Sequence, residues 1–107
     1  MDIVFKALAD ETRRQMLDRL LEKPGQTLSD MVSNTGMRRQ SASKHLKILE
    51  EAGLVVSRRE GREKLHFLNP VPIQEISHRW VDKFSKVRAE AILNLKAALE
   101  SDEQTGG

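Results

Sequence analysis

Apolar residues recur at three- and four-residue steps through most of the chain, and gather into two β-rich runs just after Gly53. Ile3, Val4, Ala7 and Leu8 make the inward face of a short opening helix. Asp10 is placed to cap a helix over Glu11–Glu22, because its carboxylate can take up backbone N–H groups left free at the helix start. Met16, Leu17, Leu20 and Leu21 supply its buried face, and Lys23-Pro24-Gly25 ends it. Thr27 caps a third helix over residues 28–34, with Asp30 at the capping-box position and Gly36 set to end it in the left-handed conformation. Its apolar side is Leu28, Met31 and Val32.

A fourth helix follows over residues 38–52 after only a short turn, so the pair reads as a helix-turn-helix. Ala42, Leu46 and Leu49 share one face of it, which forces Gln40, Ser43, Lys44 and Lys47 to the opposite side. After Gly53, residues 54–58 and 64–68 are strand-like runs around a Glu60-Gly61 turn. Two strands alone are marginal, so Leu65 and Phe67 are expected to pack on the helices while Arg58, Arg59, Arg62 and Lys64 crowd the tip as a wing. Asn69-Pro70-Val71-Pro72 breaks the chain before a long helix over residues 73–99. Its stripe of Ile73, Ile76, Trp80, Phe84, Val87, Ala91, Leu95 and Leu99 outruns what so small a domain can cover, which argues for pairing with a second copy. The expected dimer interface is that stripe together with Ile3 and Val4. Residues 101–107 hold no apolar side chain and are expected to form a disordered tail.

The fold class is therefore mainly α with a small β-hairpin wing, in the order α-α-α-α-β-β-α, with residues 1–100 as one winged helix-turn-helix domain. A length of 107 residues with 38% hydrophobic side chains supports one modest core. No apolar run approaches a bilayer span, and the amino terminus lacks the basic-then-apolar pattern of a secretory signal, so no membrane partner and a cytoplasmic location are expected. The absence of cysteine removes disulfides, thiolate metal sites and cysteine catalysis. No nucleophile, base or paired-carboxylate constellation accompanies His45, so no enzyme activity and no cofactor are expected. That histidine reads as packed or as a phosphate contact.

The net charge of +2 acquires meaning from its distribution. Residues 38–66 carry Arg38, Arg39, Lys44, Lys47, Arg58, Arg59, Arg62 and Lys64 against Glu50, Glu51, Glu60 and Glu63, a balance of +4 that leaves −2 for the remainder. One face thus attracts a polyanion without the whole chain being a polycation. A polar, donor-rich helix face beside an arginine-rich hairpin suits a double-stranded DNA major groove and its flanking backbone. Two other readings stay open: a winged-helix module that binds protein without DNA, and a regulator released by an unknown small-molecule effector near Trp80.

Three segments carry a family resemblance: residues 8–13 (Leu-Ala-Asp-Glu-Thr-Arg), residues 43–55 (Ser-Lys-His-Leu-Lys-Ile-Leu-Glu-Glu-Ala-Gly-Leu-Val) and residues 58–62 (Arg-Arg-Glu-Gly-Arg). In this order and spacing the chain resembles the ArsR-type family of bacterial winged-helix transcriptional repressors over residues 1–100. The resemblance implies a homodimer on a palindromic operator, with one recognition helix per half-site. It puts base and phosphate contacts on Arg39, Gln40, Ser41, Ser43 and Lys44, and wing contacts on Arg59, Arg62 and Lys64. With their neighbours, the candidate DNA-binding set is Arg38, Arg39, Gln40, Ser41, Ser43, Lys44, His45, Lys47, Arg58, Arg59, Arg62 and Lys64. The chain departs from the family pattern at Arg38-Arg39-Gln40, which removes the usual Ser N-cap. Metal-sensing members place Cys-x-Cys in the third helix, where this chain has none, so the non-cysteine branch is implied. His78 and Asp82, at i and i+4 on the last helix, are metal candidates that read more simply as a solvated pair.

Overall fold

The computed structural model describes the backbone of residues 1–105 and the side chains of residues 1–100. It comprises two units, the first spanning Met1–Pro72 and the second beginning at Ile73. The expected tail over residues 101–107 lies outside the residues whose side chains are described.

Caps set the helix starts in the first unit. α1 (Asp2–Leu8) leads into Asp10, whose carboxylate accepts the Arg13 backbone N–H at 2.9 Å and opens α2 (Glu11–Glu22). The guanidinium of Arg13 turns back to donate to the carbonyls of Ala7 (2.8 Å) and Lys6 (2.9 Å), and Arg14 donates to that of Leu8 (2.7 Å). Side chains of α2 therefore satisfy the last carbonyls of α1, which have no partner inside their own helix. Thr27 and Asp30 exchange both bonds of a capping box at 3.0 Å to start α3 (Leu28–Thr35), and Gly36 ends it at φ 67°. α4 spans Arg39–Glu51.

The core of this unit draws Val4 and Ala7 from α1, Met16, Leu17 and Leu20 from α2, Met31 from α3 and the expected trio Ala42, Leu46 and Leu49 from α4. Two inward expectations are corrected. Ile3 is 48% exposed and Leu21 is 68% exposed, because each stands about 100° round its helix from the buried neighbour beside it, Val4 and Leu20. Val4, expected in a dimer interface, is already buried within the chain.

The hairpin pairs β1 (Val55–Glu60) with β2 (Glu63–Leu68), antiparallel, from Val55↔Leu68 to Glu60↔Glu63. The turn is centred on Gly61-Arg62 rather than on Glu60-Gly61. Gly61 has φ 63° and no non-glycine residue has positive φ, the requirement of a type II′ turn with glycine first. Strand alternation also corrects the expected packing. His66 takes the buried position, while Leu65 and Phe67 on the other face are half-buried. Gln26, in the α2–α3 connection, bridges to His66, with Gly25 N–H donating to the His66 carbonyl and His66 N–H to the Gln26 carbonyl, both at 2.9 Å. A third strand reduced to one residue thus supports the pair.

After the hairpin come α5 (Val71–Ile76), a π-helical segment (Ser77–Val81) and α6 (Asp82–Thr105). The expected long helix is present, but the π turn interrupts its α periodicity. The Asp82 N–H bonds the Ser77 carbonyl five residues back, and the Ser77 hydroxyl donates to the Asp82 carboxylate at 3.3 Å. Wider turns retard the angular advance, so Ile73 and Ile76 do not continue in phase into the stripe beyond Asp82. Along that stripe Phe84, Val87, Leu95 and Leu99 are all more than half exposed and Ala91 is exposed, whereas Ile76 and Trp80 are half-buried.

Candidate nucleic-acid interface

The turn between α3 and α4 is built by local polar chemistry. The Thr35 hydroxyl donates to the Met31 carbonyl at 2.7 Å and accepts the Met37 N–H at 3.2 Å, so the chain leaves α3 with its polar groups engaged. Arg38 occupies the N-cap position of α4 and makes no side-chain cap bond, as its chemistry dictates.

With Ala42, Leu46 and Leu49 buried, the outer face of α4 is exposed and continuous. Arg39, Gln40, Ser43, Lys44 and Lys47 line one open cleft, floored in part by Leu28. Gln40, Ser43, Lys44 and Lys47 have no side-chain hydrogen bond or ion pair among the described residues, so their donors face solvent. Ser41 is exposed too, but stands about 160° round the helix from Ser43 and belongs to another flank.

His45 shares that flank and points into the protein. Its Nδ1 lies 3.3 Å from Arg13 Nη1 and 4.0 Å from the Asp10 carboxylate. That edge of the ring is thus held between a guanidinium and a carboxylate. The half-buried ring packs beside the α1–α2 junction. The backbone hydrogen bond from Arg13, aided by the Arg13 charge, holds the Asp10 carboxyl below the usual carboxylate range. Asp30 is lowered likewise, first by the Thr27 backbone bond and then by the Thr27 hydroxyl.

The hairpin side chains divide between two faces. Arg59 and Lys64 are register partners on the same face as His66, toward the helices. Arg58 lies on the opposite face, with its guanidinium 5.4 Å from the centre of the Phe67 ring and 3.8 Å from the Glu60 carboxylate. The adjacent arginines read together in the sequence therefore point apart. Arg62 sits at the turn and, with Lys64, His66, Arg39 and the first turn of α3, lines a second cleft continuous with the α4 face.

One group was missed in the sequence. Glu50, near the end of α4, meets Lys64 at 3.2 Å and His66 at 3.5 Å, so the wing is joined to the helix beside it by charge. The alternation of Lys64 and His66 along one strand face was the available signal, but nothing local pointed to Glu50. On the last helix His78 and Asp82 lie 3.4 Å apart with 84% and 60% of their side chains exposed, a solvated pair. Among the described residues no cluster of three or more His, Cys, Asp or Glu could hold a metal, and no helix is long and apolar enough to cross a membrane.

Residues 8–58 match a family model described as a helix-turn-helix domain. The HTH-type transcriptional regulator YuzN of Bacillus subtilis is 37% identical over 87 residues, covering 76% of this chain and 95% of the relative. The transcriptional repressor SdpR of the same organism is 36% identical over 84 residues, 78% of this chain and 91% of the relative. Among solved structures, an ArsR-like transcriptional regulator from a Rhodococcus species superposes with a TM-score of 0.76 at 29% identity, over 94% of this chain and 90% of the other. A homodimeric winged helix-turn-helix DNA-binding domain from Mycobacterium bovis, also 29% identical, gives 0.62 over 90% of this chain and 82% of its own.

Proposed function

Since this chain belongs to the ArsR-type family of winged helix-turn-helix transcriptional regulators, we propose that it acts as a homodimeric repressor that binds a palindromic operator and excludes other proteins from it. α4 enters the major groove with Gln40 and Ser43 reading base edges, while Lys44 and Lys47 hold phosphates. The hairpin reaches the adjacent backbone through Arg59, Arg62 and Lys64. The observation that carries this reading is the outer face of α4: five polar or basic side chains in one open cleft beside the wing. A face meant only for solvation would more often pair its charges along the helix.

Dimerisation is supported by the uncovered apolar row of α6, where Phe84 is 66% and Leu95 62% exposed. An exposed row of that kind on a monomer is costly, and a second copy covers it with two-fold symmetry. The Mycobacterium bovis relative is homodimeric.

Selection of bound duplexes from a random library at moderate salt tests the proposal. Enrichment of an inverted repeat with half-sites one helical turn apart is the expected result. Recovery of no sequence, together with a stoichiometric protein partner in a pull-down, would instead support a protein-interaction module.

A further inference from the structure

The contacts of His66 exceed what a neutral imidazole can satisfy. The ring is 3% exposed, with Nδ1 2.9 Å from the Gln26 carbonyl and Nε2 3.5 Å from Glu50 Oε1. A carbonyl only accepts, so Nδ1 carries a hydrogen; in the neutral ring Nε2 then presents a lone pair toward a carboxylate. Glu50 Oε1 is itself buried and accepts no well-directed hydrogen bond; Lys64 Nζ stands 3.2 Å from it and donates to Oε2 at 3.4 Å. A second ring hydrogen, on Nε2, removes the mismatch between that lone pair and the carboxylate. It gives Oε1 a donor and places an imidazolium against a carboxylate.

We propose that His66 is a proton-dependent positioning residue: in its doubly protonated form it clamps β2 between the Gln26 carbonyl and Glu50 of α4, fixing the wing relative to the recognition helix, and DNA binding weakens as the proton leaves. This rests on the DNA-binding reading above. The joint links the three parts that must agree in a winged helix: the α2–α3 connection through Gln26, the recognition helix through Glu50, and the hairpin through His66 itself. Gln26 is held in turn, its amide donating to the carbonyls of Arg19 (2.9 Å) and Lys23 (2.8 Å). The charged groups around the ring are Glu50 from α4, Lys64 beside it on β2, and, across the shared cleft, Asp30 of α3, Arg39 of α4, and Arg62 and Glu63 of the hairpin. Three of these are cationic and three anionic, and Glu50 is the one in ion-pair range of the ring.

Two measurements on the full chain test this. Nitrogen-15 spectra of the free protein between about pH 5.5 and 8 read the ring directly, without DNA. The expected result is both His66 nitrogens protonated at the acid end, with the amides of Gly61 to Lys64 shifting along the same titration curve; an Nε2 that stays unprotonated throughout overturns the proposal. The second measurement compares Kd for the selected duplex at pH 6 and pH 8 at constant salt. Wild type is expected to weaken about 10- to 100-fold, the scale of one charge-assisted hydrogen bond. His66→Asn, which keeps a donor for the Gln26 carbonyl, and Glu50→Gln are each expected to change less than about 2-fold over that span. Undiminished pH dependence in His66→Asn overturns the proposal. Failure of every duplex to bind would refute the DNA-binding reading, while the spectra would still decide the protonation of His66.

Discussion

The guanidinium of Arg39, in the first turn of α4, donates to the hydroxyl of Ser29, in the first turn of α3, at 3.1 Å. This bond ties the two helices at the end where the recognition helix begins, and Arg38 makes no side-chain cap there to assist. It also holds Arg39 in one direction beside the open cleft it shares with Gln40 and Ser43. A long side chain already ordered loses less entropy when it meets DNA.

Ser29→Ala is therefore expected to leave the fold intact, with stability changed by less than about 0.5 kcal/mol because the site is exposed. DNA affinity is expected to fall about 2- to 5-fold, the cost of ordering one freed arginine on binding. Fluorescence anisotropy beside urea unfolding separates the two effects. A stability loss without an affinity loss would show that the bond serves the fold alone.

The two faces of the hairpin predict unequal arginines. Arg58→Ala is expected to weaken binding less than about 2-fold, since that guanidinium is engaged with Phe67 and Glu60 on the far face. Arg59→Ala and Arg62→Ala are expected to cost more, and each to lower the salt slope of log K by about 1. Equal losses at all three positions would mean that the hairpin rotates on DNA.

On α4, Lys44→Ala is expected to weaken every duplex to a similar degree, again with a slope change of about 1, because a phosphate contact carries no sequence information. Gln40→Ala is expected to relax preference at one base pair of each half-site, by about 1–3 kcal/mol of discrimination. Repeating the library selection with each variant checks both.

Acid is expected to destabilise the first unit through its caps. The carboxyls of Asp10 and Asp30 are held below the usual carboxylate range by backbone N–H donors that the unfolded chain does not provide. Their contribution is complete above the ordinary carboxylate pKa of about 4 and is lost as pH falls through the lowered values. Urea midpoints from pH 6 down to pH 3 should therefore decline less steeply in a double variant, Asp10→Asn with Asp30→Asn, which can still cap but cannot titrate. A parallel decline would place the acid sensitivity elsewhere.

Phe84→Glu and Leu95→Glu are expected to convert the dimer to monomer in sedimentation while the circular dichroism of the helices before the hairpin persists. Both side chains lie in the uncovered row of α6, whereas the core of the first unit draws on neither. A wild-type protein that sediments as a monomer would remove the dimer from the proposed function.

Features governed by neighbours a few residues apart were legible in the sequence. Asp10, Thr27 with Asp30, and Gly36 begin or end their helices as their chemistry requires, because a cap involves residues within one turn. The buried trio of α4 and its polar opposite face followed from helix periodicity, and the order of elements followed from the breaks at Pro24-Gly25, Gly53 and Pro70. The tertiary structure decided what depends on residues far apart in the chain. His45 meets Arg13 across 32 positions, and His66 meets Gln26 across 40; no local pattern encodes either pairing. Which arginine of Arg58-Arg59 faces the helices depended on hairpin register, where a shift of one residue reverses every side chain. The exposure of Leu21, the burial of His66 and the π turn after Ile76 belong to the same class, because packing fixes the angular phase of an element and composition only limits it.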